Sequence, residues 1–185
     1  MKKNLHIPFI GVFFCLLLFS CVKDTDFDQA QDITLTPIVE LDLIYFNLVA
    51  GDFFDDVTST PRLTVRDTTD IRFLDDSGTQ ESLLKAEFLF VFDNTIPRSF
   101  QADFQFLDSL NVEKYFTSTF VEMGSVATPV VTEFTHTVEG DDILELTQSD
   151  KVVVSVTIPS SDATLEGELN LKSKTTYYLE IKERD

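Results

Sequence analysis

Ala86-Glu87-Phe88-Leu89-Phe90-Val91-Phe92 and, after a short break, Phe100-Gln101-Ala102-Asp103-Phe104-Gln105-Phe106 decide the fold class. In each stretch, Ala or Phe occupies every second position. In the second stretch the intervening positions are polar, Gln101, Asp103 and Gln105. A period of two is that of a β-strand with one face buried. The connection contains Asp93-Asn94-Thr95-Ile96-Pro97, residues that favour turns. The pattern predicts two aromatic ladders joined as an antiparallel hairpin at the centre of the core. Each buried Phe contributes about 1.5–3 kcal/mol, and packing against other core residues accounts for the ladders better than ligand contact does.

The same period extends outward in both directions. Val39, Leu41, Leu43 and Tyr45 share a parity, and from Ile44 to Leu48 both faces are apolar. Leu63 and Val65 begin another strand, Asp67-Thr68-Thr69-Asp70 reads as a turn, and Ile71 and Phe73 follow it. Strands are expected over Tyr115–Val121, over Val130–Val138 and over Val152–Ile158. Leu165–Leu171 and Tyr177–Ile181 are expected to close the chain as a hairpin. Alternation breaks at Gly140-Asp141-Asp142-Ile143-Leu144-Glu145-Leu146, where Asp141 suits an N-cap and Ile143 and Leu146 are one helical turn apart. These elements predict an all-β protein, an immunoglobulin-like antiparallel β-sandwich of about 8–9 strands with one short helical crossover near 141–147.

The chain has 185 residues, 14 basic and 32 acidic, for a formal charge of −18; it contains 18 Phe and no Trp. Residues 1–20 stand apart. Met1-Lys2-Lys3 is basic, Phe9–Phe19 is apolar apart from Gly11, and Val22-Lys23-Asp24 turns polar. That is the layout of a secretory signal peptide, too short to span a bilayer, which takes about 20 apolar residues. Residues 1–20 hold Lys2 and Lys3 and no acid, so a chain without them loses two positive charges. Twelve basic residues then face 32 acidic ones, a charge of −20. Such a surface repels nucleic acid and anionic headgroups, so nucleic acid is excluded as a partner.

Leu18-Phe19-Ser20-Cys21 resembles the lipobox of bacterial lipoproteins. The resemblance implies cleavage before Cys21 and acylation, including palmitate, at that residue. The polar stretch after it, with Lys23, Asp24, Asp26 and Asp28, is similar to the acidic export signal of Bacteroidetes-type surface lipoproteins. The whole chain resembles, in style, the small uncharacterised envelope lipoproteins of that group. The implied organisation is a signal peptide at 1–20, a lipidated Cys21 with a flexible acidic tether at 21–33, and a β-sandwich domain at 34–185. The implied location is the outer membrane, lipid-anchored, at the cell surface or the periplasmic face.

The sequence offers little chemistry. Cys15 and Cys21 are the two cysteines; the processing that the lipobox resemblance implies would remove one and acylate the other, leaving no thiol for a disulfide or a cysteine-ligated metal. His136 is the single histidine of the mature chain and lies on an apolar strand face. No Gly-x-Ser-x-Gly elbow accompanies it. Acid pairs at Asp55-Asp56, Asp75-Asp76 and Asp141-Asp142 read as solvated loop charge. The adjacent aromatics Phe53-Phe54 are either tucked inward or exposed for contact. The expectation is a non-enzymatic protein with no catalytic residue, metal or cofactor. It acts as a binding or structural module whose partners are the bilayer, through Cys21, and envelope proteins. The alternative is a sandwich or barrel that binds an apolar ligand or a glycan.

Overall fold

Eight long strands carry the fold in the computed structural model, which describes residues 34–182. They are Ile38–Val49 (β1), Thr64–Asp70 (β2), Leu83–Asn94 (β3), Phe100–Leu107 (β4), Glu113–Val121 (β5), Val130–Glu139 (β6), Lys151–Thr157 (β7) and Glu168–Leu179 (β8). All pairings among them are antiparallel: β4 with β5, β3 with β6, β2 with β7 and β1 with β8. Those four ladders are the rungs of one long hairpin whose tip lies between β4 and β5. Two further ladders, β8 with β3 and β7 with β4, roll that hairpin up. The result is one sheet ordered β1-β8-β3-β6 and another ordered β2-β7-β4-β5.

The protein is therefore an all-β antiparallel sandwich, the class that the period-two pattern predicts. Within the class, its strand order is that of a double Greek-key jelly roll. The β4–β5 link alone stays inside one sheet, whereas half the links of a constant-type immunoglobulin sandwich do so. The short helix Asp142–Leu146 crosses from β6 in one sheet to β7 in the other, within the expected range. Asp141 precedes it, but its side chain makes no capping hydrogen bond.

Three local expectations are corrected. The two Phe ladders are not a hairpin: β3 and β4 lie in different sheets and face each other. The rings of Phe90 and Phe104 stack with centroids 3.8 Å apart, and those of Phe88 and Phe106 are 5.0 Å apart. Both arrangements bury the same parity, so the pattern alone could not separate them. The link is an arch held by Asn94, which is fully buried. Its Nδ2 donates to the carbonyls of Arg98 (2.9 Å) and Glu122 (2.8 Å), and its Oδ1 accepts from Ile96 N (2.8 Å). Second, the expected closing hairpin is largely one strand, β8. Ser173 and Thr175 continue the inward parity of Leu169, Leu171, Tyr177 and Leu179 without an apolar side chain, which mimics a break. Third, Asp67–Asp70 is strand, held by the ladder from Lys151 to Val154 of β7. A further helical turn missed by the pattern, Ser77–Ser82, starts where Asp76 accepts from Thr79 N (2.7 Å).

The core fills the space between the sheets. Phe88, Phe90, Phe92, Phe100, Phe104 and Phe106 have no exposed surface, and Val152, Val154, Val156, Leu169 and Leu171 close over them. Phe53 is tucked inward against Phe100, ring centroids 5.5 Å apart, while Phe54 is half-buried. The aromatic rings thus contact one another and the aliphatic layer, which is the packing reading of the ladders.

Candidate binding groove

The outer face of the β1-β8-β3-β6 sheet owes its shape to a bulge. Lys172 pairs with Tyr45 and Lys174 with Asp42, so Leu43 and Ile44 together oppose Ser173 alone. An extra residue in one strand reverses which parity points inward. Before the bulge, Val39 and Leu43 turn to the core; after it, Ile44, Phe46 and Leu48 do. This accounts for the run in which both faces look apolar. The hydroxyl of Ser173, 4% exposed, fixes the bulge: it accepts from Ile44 N (3.0 Å) and donates to Ile44 O (2.8 Å).

The parity switch places Tyr45 on the outer face, 52% exposed. Its hydroxyl donates to Asp42 Oδ1 (2.6 Å), and that bond to a carboxylate raises the phenol's pKa. Tyr45, Asp42, Lys172 and Lys174 surround a hollow of about 200 Å³ floored by Leu89 and Val91 of β3. A second hollow of about 370 Å³ lies between Ile38, Glu40, Thr135 and Tyr178. Leu89 and Lys174 border both, so the two run together as one groove across the sheet. Lys174 Nζ pairs with Glu40 Oε1 (3.3 Å). At the far end, Lys85 Nζ sits 3.8 Å from the Tyr178 ring centre and 3.1 Å from Glu87 Oε1. The Tyr178 hydroxyl donates to Glu87 and, with Lys85, holds that carboxyl below its ordinary range.

A groove with an apolar floor, an exposed ring at one end and ordered donors and acceptors on its walls can seat a partner that is itself partly apolar and partly polar. In the sequence none of these residues stands out as a binding residue; Tyr45 shows only the strand parity it shares with Val39, Leu41 and Leu43. The available signal was the broken alternation at Leu43-Ile44-Tyr45-Phe46, which a bulge explains as well as two-sided burial does.

The residues expected to matter lie elsewhere. Cys21, Lys23, Asp24, Asp26 and Asp28 fall outside the described residues, as do the signal peptide and the tether. His136 is half-buried on the inner face of β6. Its Nε2 lies 2.6 Å from the hydroxyl of Tyr115 on β5, which ties the edges of the two sheets. Burial lowers the imidazole's pKa, against a weaker opposite pull from Asp142. The loop acids serve the main chain: Asp52 accepts from Val49 N (2.8 Å), and Asp55 from Val57 N (2.9 Å) and Thr58 N (3.1 Å). Among the described residues, no group of three or more His, Cys, Asp or Glu side chains is placed to hold a metal ion. No helix among them is long and apolar enough to cross a membrane.

No family model matches the sequence, and no curated protein matches it. Similar solved structures include the VP2 subviral particle of infectious bursal disease virus (6% identity, TM-score 0.46), of which the match covers 77% of this chain and 32% of that one. A protein of Parabacteroides distasonis described as secreted is 13% identical with a TM-score of 0.44, over 66% of this chain and 38% of that one. The enzymatically active domain of tailspike protein 4 from bacteriophage CBA120 is 10% identical with a TM-score of 0.40, over 75% of this chain and 19% of that one. The chain thus spans about a third of the length of the first structure.

Proposed function

We propose that this protein is a non-enzymatic binding module of the bacterial cell envelope, held at the outer membrane by acylated Cys21. The observation that carries the binding role is the groove on the outer face, where the Ser173 bulge presents Tyr45 beside Leu89, Val91 and Lys172. The tightly packed aromatic interior argues for recognition at this face rather than inside the sandwich. Lipid anchoring rests on the lipobox, and it leaves the folded domain free to present the groove to an envelope protein.

Photo-crosslinking in intact cells tests the reading. A photoreactive residue replaces Tyr45 or Lys172 in the groove, and Lys151 on the opposite sheet serves as the comparison. The expected result is a discrete adduct from both groove positions and none from Lys151. Adducts of equal yield from all three positions, or none from the groove, would overturn it.

A further inference from the structure

Phe116 and Phe120 of β5 stand on the outer face of the β2-β7-β4-β5 sheet, 47% and 54% exposed, while Tyr115 and Val121 take the other parity toward the core. A lone exposed ring needs no explanation, but two on one flat face mark a contact surface. The ladder with β4 sets a polar side chain beside each position: Gln105 opposite Phe116, Asp103 opposite Ser118 and Gln101 opposite Phe120. Side chains facing each other across a ladder stand about 4.5–5.5 Å apart. One strand further in, Ser155 opposes Asp103, and beyond it Arg66 opposes Ser155. A polar row thus crosses the sheet and ends between the two rings. Its hydrogen bonds are incomplete. Ser155 is 5% exposed and its hydroxyl has no partner, and the side chain of Arg66 makes no hydrogen bond or ion pair among the described residues.

We infer that this face binds a neutral polysaccharide, laid along β5 with one sugar on Phe116 and another on Phe120. A pyranose has two unlike surfaces. Its C–H groups are slightly positive and settle on the negative face of an aromatic ring. Its rim of hydroxyls needs donors and acceptors together. Phe supplies only the ring face, so the hydroxyls fall to the residues beside it. Gln101 Nε2 donates to Asp103 Oδ1 (3.1 Å) and Gln105 Nε2 to Glu113 Oε2 (2.9 Å). Those bonds steady the two amides and leave each one its carbonyl oxygen and a second N–H, an acceptor and a donor side by side. Four strand residues separate the rings by about 13 Å, a span for a chain of sugars rather than for one.

Charge and desolvation select this occupant over others. The chain carries −18, which repels a polyanion, whereas the row between the rings holds one charge of each sign, Arg66 and Asp103. An apolar protein surface laid on the rings would strip water from that row and from both amides without replacing the lost hydrogen bonds, which is costly. A polyhydroxylated chain covers the rings and supplies partners to the row at the same time. The site lies on the opposite sheet from the groove and does not depend on it.

Native affinity electrophoresis of the full chain in mild detergent tests the inference, with gels cast in turn with hydroxyethyl cellulose, galactomannan, arabinoxylan and amylopectin. A gel without polymer and one with polygalacturonate are the comparisons. At least one neutral polymer is expected to retard the wild type, and polygalacturonate is not. Phe116→Leu and Phe120→Leu keep apolar volume but remove the ring face, and each should weaken the retardation by about tenfold with unchanged circular dichroism. Phe116→Tyr keeps the ring and should retain it, and Tyr45→Ala in the groove should leave it unaltered. Free migration of the wild type in all four neutral gels, retardation indifferent to both Leu substitutions, or its loss in Tyr45→Ala would overturn the assignment. A wild type that sediments as a dimer, turns monomeric in Phe116→Leu and is retarded by no polymer would give the two rings to a second copy instead.

Discussion

Ser173 Oγ takes a hydrogen bond from Ile44 N at 3.0 Å and gives one to Ile44 O at 2.8 Å, so one buried hydroxyl satisfies both main-chain groups that the bulge removes from the ladder. Buried main-chain groups without partners cost about 1–3 kcal/mol each. Ser173→Ala is therefore expected to destabilise the fold by roughly 1–3 kcal/mol, read from urea unfolding. Ser173→Thr keeps the hydroxyl and should recover part of the loss. If Ser173→Ala is neutral, the bulge is held by packing alone.

The stack between Phe90 and Phe104 makes a second prediction, because it joins two sheets rather than two strands of one hairpin. Each of Phe90→Ala and Phe104→Ala should cost on the order of 3–5 kcal/mol. The double variant should cost less than the sum by roughly 0.5–3 kcal/mol, since the first truncation already removes the shared contact. Additive losses would mean that the two rings do not depend on each other.

These two relationships also mark what the sequence could and could not reveal. The Phe parity shows which side chains are buried, and burial follows it closely. Parity says nothing of which ladder lies beside which, because facing sheets and a hairpin bury the same positions. The arch is set by Asn94 and its three hydrogen bonds, one of them to Glu122, a partner 28 residues away. The groove was hidden for a related reason. The bulge depends on Ser173, 129 residues from Ile44, and local alternation cannot register that distance.

Gly124 gives a test of the same arch. A Cβ built on it would stand 1.8 Å from Asn94 O and 2.8 Å from Asn94 C, both main-chain atoms. Gly124→Ala must push the arch apart and should cost more than about 1–3 kcal/mol, the usual range for overpacking. Gly51→Ala meets nothing within 4 Å and should change stability by about 0.5 kcal/mol or less. Thermal unfolding of the pair makes the comparison; equal midpoints would contradict the tight approach at Gly124.

His136 should make stability depend on pH. Burial holds its folded pKa below the ordinary value of 6.5, with Asp142 pulling weakly the other way. The unfolded chain thus binds the proton first as pH falls. Stability from this group is complete above the ordinary value and declines as pH drops through it toward the lower folded value. His136→Gln should flatten that part of the profile while leaving the carboxylate-driven loss at lower pH. The difference between the two denaturation profiles from pH 7.5 to 5.5 is the measurement. A wild-type stability that rises on acidification in this window would reverse the sign.

The anchor is tested by separating attachment from sorting. Each buried methylene of an acyl chain adds about 0.8 kcal/mol, and stable anchoring takes two attachment signals, such as dual acylation. Cys21→Ser should abolish palmitate labelling and release the protein from the membrane fraction, with its β-rich circular dichroism unchanged. Replacing Asp24, Asp26 and Asp28 together by Ala should leave labelling intact, because the lipidated residue is still present. If those acids form an export signal, the triple variant should lose protease accessibility on intact cells while remaining in the membrane. The two variants thus fail differently, one in retention and one in sidedness. Retention of the Cys21→Ser protein would remove the lipid anchor, whereas equal accessibility of wild type and triple variant would leave the three acids as charge on a linker.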